Sequence, residues 1–294
     1  MQSIFSWTCL LGILLLGHAA HASTENRAGE WISLSTGELI IPSYFQPRDG
    51  EIDLVFHLHG APQAAGKSLI RSGVNAVMIA VHLGSFSSPY QSYFSDANHF
   101  FELLDQSLDI LKNRRSDPSL RWGRLCVSAF SGGYGGAREF MQIPKIYERI
   151  HSLILLDCPH ASYIENNQVN PDQMAGFLRF AQDAVLGKKT FIMTHSEIIP
   201  GSYASAAECA DFLIAGVNGR RTSWSGSNPM NMIRRSYFEV GRMKIYGYKG
   251  ETAVDHMKHL HGLFLFLKQI GFEKSAAGPP DSCIKNESSF SRFH

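Results

Sequence analysis

Ser131 is the residue whose surroundings most resemble a reaction site. The apolar run Arg124-Leu-Cys-Val-Ser-Ala-Phe130 stops at it, and Gly132-Gly133-Tyr134-Gly135-Gly136 comes next. Small residues lie two before it (Ala129) and two after it (Gly133), as a strand-to-helix turn tight enough to push a hydroxyl out of a sheet requires. No Gly-Lys-Ser/Thr comes after the glycines, so the stretch is not a phosphate cradle. A serine in such a turn does acyl transfer if a base takes its proton, a carboxylate orients that base, and N–H donors meet the oxyanion. Three histidines, His256, His259 and His261, lie within six residues late in the chain, and Asp157 and Glu197 each come after an apolar run. A second chemistry competes. His57 and His59 are two apart at the end of a β-rich run, and with Asp157 and the late histidines they can start a metal-dependent hydrolase site, in which a metal-bound water attacks and Ser131 is only a turn residue.

The elements that would position these groups alternate. Trp31 to Ser35 and Glu38 to Phe45 read as a leading hairpin, and Ile52 to His59 as a strand closed by Gly60-Ala61-Pro62. Strands are then expected at 75–81, 125–130, 152–157, 190–194 and 243–248, with helical spacing at 97–111, 137–141, 173–185, 205–215 and 256–270. Strands alternating with helices imply an α/β fold with a mostly parallel central sheet and helices on both faces. Residues 217–242 break the rhythm, being rich in Gly, Ser, Asn and Arg. They are read as an excursion on the active-site side, with a solvated loop as the equal alternative. With 85–94, they are expected to shape the substrate pocket.

With the turn at Ser131, the His59-Gly60 turn after an early strand and a histidine after the last strand, the chain resembles the α/β-hydrolase family over nearly its whole length. The resemblance implies the α/β-hydrolase fold and a chain order of serine, acid, histidine. His256 is the expected base: it comes first after the last strand and shares a helical face with Leu260, Leu263, Leu267 and Ile270. His259 is the alternative base. Glu197, after the strand 190–194, is placed slightly ahead of Asp157 as the acid, because most of the family use that slot; Asp157 occupies the position that some members use. The early His-Gly turn implies an oxyanion hole from the N–H groups of Ala61 and Gly132, Pro62 having none to give. The resemblance thus implies a serine hydrolase cleaving carboxyl esters through an acyl-enzyme on Ser131, without a cofactor or metal, on a small-molecule or carbohydrate ester. The alternatives are the metal-dependent hydrolase at His57 and His59, or an inactive domain of the same fold that only binds a ligand.

The 294 residues carry a formal net charge of +1, which points to no nucleic-acid partner. Residues 1–22 read as a signal peptide, with an apolar core from Phe5 to Leu16 and a small-x-small end at Ala20-His21-Ala22. The core is too short to span a bilayer, so a secreted or periplasmic chain without a membrane partner is expected after cleavage. Residues 23–272 then form one domain, and 273–294 a loosely packed tail. In an oxidising compartment Cys126, Cys158, Cys209 and Cys283 are free to pair. Cys126 reads as a buried strand residue, which leaves Cys158 with Cys209 as the expected disulfide.

Overall fold

A computed structural model describes residues 28–279. The elements run β1 (Gly29–Ser33), β2 (Glu38–Pro42), β3 (Glu51–Leu58), α1 (Pro62–Ser72), β4 (Val77–Val81), α2 (Ser87–Phe94), α3 (Ala97–Arg115), β5 (Arg121–Phe130), α4 (Tyr134–Gln142), α5 (Pro144–Arg149), β6 (Ile150–Leu156), α6 (Pro171–Val185), β7 (Thr190–His195), α7 (Ala206–Gly216), β8 (Thr222–Ser227), β9 (Ile233–Val240), β10 (Met243–Tyr248), α8 (Ala253–His261) and α9 (Leu263–Leu267).

They build one ten-stranded sheet in the order β1-β2-β4-β3-β5-β6-β7-β10-β9-β8. The six strands from β4 to β10 are parallel, and an antiparallel hairpin flanks each edge. This is the α/β-hydrolase fold expected from the sequence. The strands of the parallel block are apolar on both sides, because helices cover both faces. Leu54, Phe56, Leu58, Leu125, Val127 and Ala129 point to the core shared with α3, α4, α6 and α7. Alternate residues such as Val55, Cys126, Phe130, Ile154 and Ile192 point to the core under α1, α8 and α9.

The chain goes from β3 outward to β4, then returns past β3 to β5 and proceeds the other way. Where strand order reverses, the crossover connections leave to opposite sides and open a crevice at the carboxyl ends. Strand register fills that edge. Leu58 pairs with Ala129, Phe130 with Leu156, and Leu156 with Thr194. The residues just beyond, His59, Ser131, Asp157 and His195, therefore form one row along the carboxyl edge of the sheet.

Several expectations need correction. Residues 217–242 are not an active-site excursion: β8 and β9 form a hairpin that extends the sheet beyond β10. As an outer edge strand, β8 is exposed along most of its length, and its Ser- and Gly-rich sequence reads as loop. The expected helix 256–270 is broken at Gly262, which ends α8 and starts α9. Cys158 and Cys209 are not joined: both are buried free thiols, and the Cys158 Sγ lies 3.4 Å from the Ala129 carbonyl. At the start of the tail the Asn75 N–H donates to the Glu273 carbonyl and the Ser275 N–H to the Gly73 carbonyl. The expected signal peptide, Cys283 and residues 280–294 lie outside the described residues. Among the described residues no helix is long and apolar enough to cross a membrane.

Candidate active site

Ser131 has φ 44°, a left-handed conformation that a serine adopts only when its surroundings impose it. The glycines explain how. A Cβ on Gly133 would lie 2.2 Å from the Leu58 carbonyl oxygen, and one on Gly135 2.2 Å from that of Ser87. The start of α4 is thus pressed against the end of β3 on one side and against α2 on the other. A Cβ on Gly132 would meet the Phe86 carbonyl carbon at 3.0 Å. The turn is therefore backed by the segment that leads from β4 into α2.

The other expected oxyanion contributor adjoins it. His59 and Gly60 both have positive φ, 74° and 89°, and the chain passes through Ala61 as the N-cap of α1, with Pro62 in the first helical turn. A Cβ on Gly60 would lie 2.7 Å from Leu260 of α8. The turn thus lies close against α8, and the φ of 89° at Gly60 is what favours glycine there. The Gly132 and Ala61 backbones lie at the ends of the adjacent strands β5 and β3, with the strand ends held together by the Gly133 contact.

His256 lies in the first turn of α8, whose start is fixed by a reciprocal cap between Thr252 and Asp255. Its Nδ1 is 2.7 Å from Asp157 Oδ2. The imidazole lies against Phe130, the residue before Ser131, with ring centroids 4.5 Å apart. Asp157 comes directly after β6, has φ 48°, and accepts the Ser196 N–H on Oδ1 at 2.6 Å. Its side chain is only 4% exposed. Burial alone would push this carboxyl up; the adjacent His259, the hydrogen bond with His256 and the Ser196 N–H outweigh it and hold the pKa well below the usual carboxylate range.

The carboxylate that meets His256 is therefore Asp157 and not Glu197. The Glu197 side chain, 42% exposed, accepts the Gly250 N–H at 3.2 Å and faces Arg235 at 4.0 Å. It ties the loop after β7 to the loop after β10. His259, the alternative base, is fully enclosed beneath the pair, with Nδ1 2.7 Å from the Thr194 hydroxyl and its pKa lowered to about 4, chiefly by burial. It is a buried neighbour of Asp157.

The histidines of the metal-dependent alternative part company. His57 points to the α1 and α8 side, where its Nδ1 lies 3.1 Å from the hydroxyl of Ser128, its register partner on β5, and its Nε2 is buried without a partner. His59 has left the strand, so the two-residue spacing no longer puts both rings on one side. Its Nδ1 is 3.0 Å from the Tyr90 hydroxyl. Burial lowers both to a pKa of about 4. Among the described residues no group of three or more His, Cys, Asp or Glu is arranged to hold a metal ion.

Two supporting residues escape a reading of the sequence. Tyr90 is completely buried on α2, and its hydroxyl also takes the Leu83 N–H at 2.9 Å, pinning the segment behind Gly132 to the His59 turn. Arg221 contacts His195, next to Asp157 in the carboxyl-edge row. The 85–94 stretch pointed to the region of Tyr90, but nothing in the sequence indicates what its hydroxyl meets.

No family model matches the sequence, and no curated protein matches it. Solved structures do match. A dienelactone hydrolase-like promiscuous phosphotriesterase from metagenomic libraries is 11% identical, with 83% of this chain and 98% of that one covered and a TM-score of 0.42. A cold-adapted esterase from an Arctic intertidal metagenomic library is 12% identical, covering 83% and 94%, with a TM-score of 0.44. A poly(3-hydroxybutyrate) depolymerase from Bordetella parapertussis is 10% identical, covering 82% and 86%, with a TM-score of 0.42. These are likenesses of overall fold, the α/β-hydrolase fold already evident in the strand order and in the turn at Ser131.

Proposed function

We propose that the chain is an exported serine hydrolase that cleaves carboxyl esters through an acyl-enzyme on Ser131, with His256 as base and Asp157 as the acid that orients it. The observation that carries the reading is the 2.7 Å bond from His256 to the buried Asp157, next to a serine held at φ 44°. Ionised Asp157 accepts the Nδ1–H of His256, which leaves the Nε2 lone pair to take the Ser131 proton. The Ser131 oxygen bonds to the ester carbonyl carbon, and the N–H groups of Gly132 and Ala61 receive the negative charge on its oxygen. His256 returns the proton to the departing alcohol as the ester C–O bond breaks. Water then attacks the acyl-enzyme by the same route, releasing the acid and restoring Ser131. Small-molecule and carbohydrate esters are the proposed substrates, and the 1–22 segment supports export to the periplasm or outside.

The test is a fluorophosphonate probe applied to the mature protein beside Ser131→Ala, each with and without a chelator, and mass mapping of the adduct. A chelator-insensitive adduct on Ser131 is expected, absent from the variant. No adduct, with p-nitrophenyl acetate turnover abolished by the chelator, would overturn the serine mechanism.

A further inference from the structure

The acid at the end of β6 is held from a distance. Asp157 Oδ1 receives the Ser196 N–H at 2.6 Å, and the Ser196 carbonyl accepts the Nδ1–H of His195 at 2.9 Å. With Nδ1 as donor, Nε2 carries the lone pair, and it faces the Arg221 guanidinium. The His195 ring lies close against β10: a Cβ on Gly247, its register partner, would sit 2.7 Å from the ring. Arg221 in turn donates to the Ser236 hydroxyl at 3.0 Å and to Asp211 Oδ1 at 2.6 and 2.9 Å. An unbroken chain of hydrogen bonds thus runs from a surface carboxylate on α7, through a guanidinium just before β8 and a buried imidazole on β7, to the acid that orients His256.

We propose that Arg221 and His195 are positioning residues for catalysis, which fix the Ser196 backbone so that its N–H holds Asp157 in line with His256. The inference rests on the serine hydrolase reading. It also explains why an arginine stands here: a guanidinium can contact His195, Ser236 and Asp211 together, whereas an ammonium on a flexible stem cannot span the three in one geometry. Burial and the Arg221 charge both lower the His195 pKa, which keeps the imidazole neutral and able to accept that bond. Neither residue touches the reacting atoms, so their removal should disturb alignment and leave substrate binding intact.

The test compares wild type, Arg221→Ala and Arg221→Lys by kcat, KM, the rate and end point of Ser131 fluorophosphonate labelling, and rescue by added guanidinium below denaturing concentration. Misplacing a catalytic group by a fraction of an ångström is expected to lower kcat and the labelling rate of Arg221→Ala about tenfold, with KM within about twofold of wild type. The labelling end point should stay complete, guanidinium should restore part of the rate, and Arg221→Lys should fall between. Loss of end point at an unchanged rate would show only an unfolded fraction and overturn the proposal, as would wild-type kcat and labelling rate in Arg221→Ala. If Arg221→Ala does not fold, Ser236→Ala and Asp211→Asn, which each loosen one anchor of the guanidinium, take its place under the same criteria. Failure of wild type itself to label at Ser131 would instead overturn the underlying serine mechanism.

Discussion

Exchanging Asp157 for Asn keeps shape and volume and changes only what is offered to His256. The carboxylate accepts the Nδ1–H at 2.7 Å on one oxygen and the Ser196 N–H at 2.6 Å on the other. An asparagine must keep its carbonyl on the Ser196 N–H, because a buried backbone donor left unpaired costs about 1–3 kcal/mol. Its NH2 is then forced towards Nδ1, where two donors cannot meet unless the imidazole moves its proton to Nε2. The base then faces Ser131 with a proton instead of a lone pair. In serine hydrolases a change of this kind lowers kcat by about 10⁴, equivalent to about 5.5 kcal/mol of transition-state stabilisation. Glu197→Gln keeps an oxygen to accept the Gly250 N–H and removes only the charge of a 4.0 Å ion pair at an exposed position, so a change in kcat below about threefold is expected. Steady-state hydrolysis of p-nitrophenyl acetate by both variants, each shown folded by circular dichroism, decides between them. A large loss in Glu197→Gln with a near wild-type Asp157→Asn would refute the assignment of the acid.

The same geometry sets three further outcomes. His57, His59 and His259 are all buried with pKa values lowered to about 4, so the unfolded chain binds more protons below pH 6.5 and stability is lost as pH falls from 6.5 towards 4; each contributes about 2 kcal/mol at pH 5, and a urea midpoint unchanged between pH 7.5 and pH 5 would contradict this. Gly133→Ala puts a Cβ 2.2 Å from the Leu58 carbonyl oxygen, which only a backbone shift can relieve; a loss of about 1–3 kcal/mol by urea titration and a fall in activity of about a hundredfold are expected. Tyr90→Phe deprives Leu83 N and His59 Nδ1 of their shared buried partner; a loss of about 1–3 kcal/mol in the same titration is expected, and an unchanged midpoint would show that the hydroxyl does not hold that segment.

How much of this could be read beforehand depends on whether the feature is local. The parallel strands are short apolar runs, and the turn at Ser131 is a contiguous string, so both are visible in the chain itself. The acid is not local. Asp157 and Glu197 each come after a strand, and which of them meets a residue 99 or 59 positions later depends on how α8 settles on β5 and β6. That is decided by contacts such as Gly60 against Leu260. The missed hairpin of β8 and β9 has the converse cause: β8 is an outer edge strand exposed along most of its length, and its pairing with β9 leaves little hydrophobic alternation. Cys158 and Cys209 looked like a pair because Cys126 reads as a buried strand residue, and the burial of the other two is not visible in the chain. Their burial among core side chains, with one thiol directed to a backbone carbonyl, gives them a packing role.

The backbone adds an argument that no motif contains. His59, Ser131 and Asp157 each have positive φ, and they stand at the ends of three adjacent parallel strands, β3, β5 and β6, in one row. The other non-glycine residues with positive φ are Asp, Asn and Ser in loops and helix ends, where such conformations are commonly tolerated. Of the three strand-end residues the serine is the least suited to this conformation, which costs on the order of 1–3 kcal/mol. The surrounding structure imposes them: Gly133 against Leu58 at the serine, the Val81 carbonyl accepting the His59 N–H at 2.9 Å, and the Thr194 carbonyl accepting the Asp157 N–H at 2.9 Å. A sheet edge that only had to turn its chain could do so with glycine at all three places. Holding side chains there, against the conformational preference of the backbone, keeps Ser131, Asp157 and the His59 turn in one row at the carboxyl edge of the sheet.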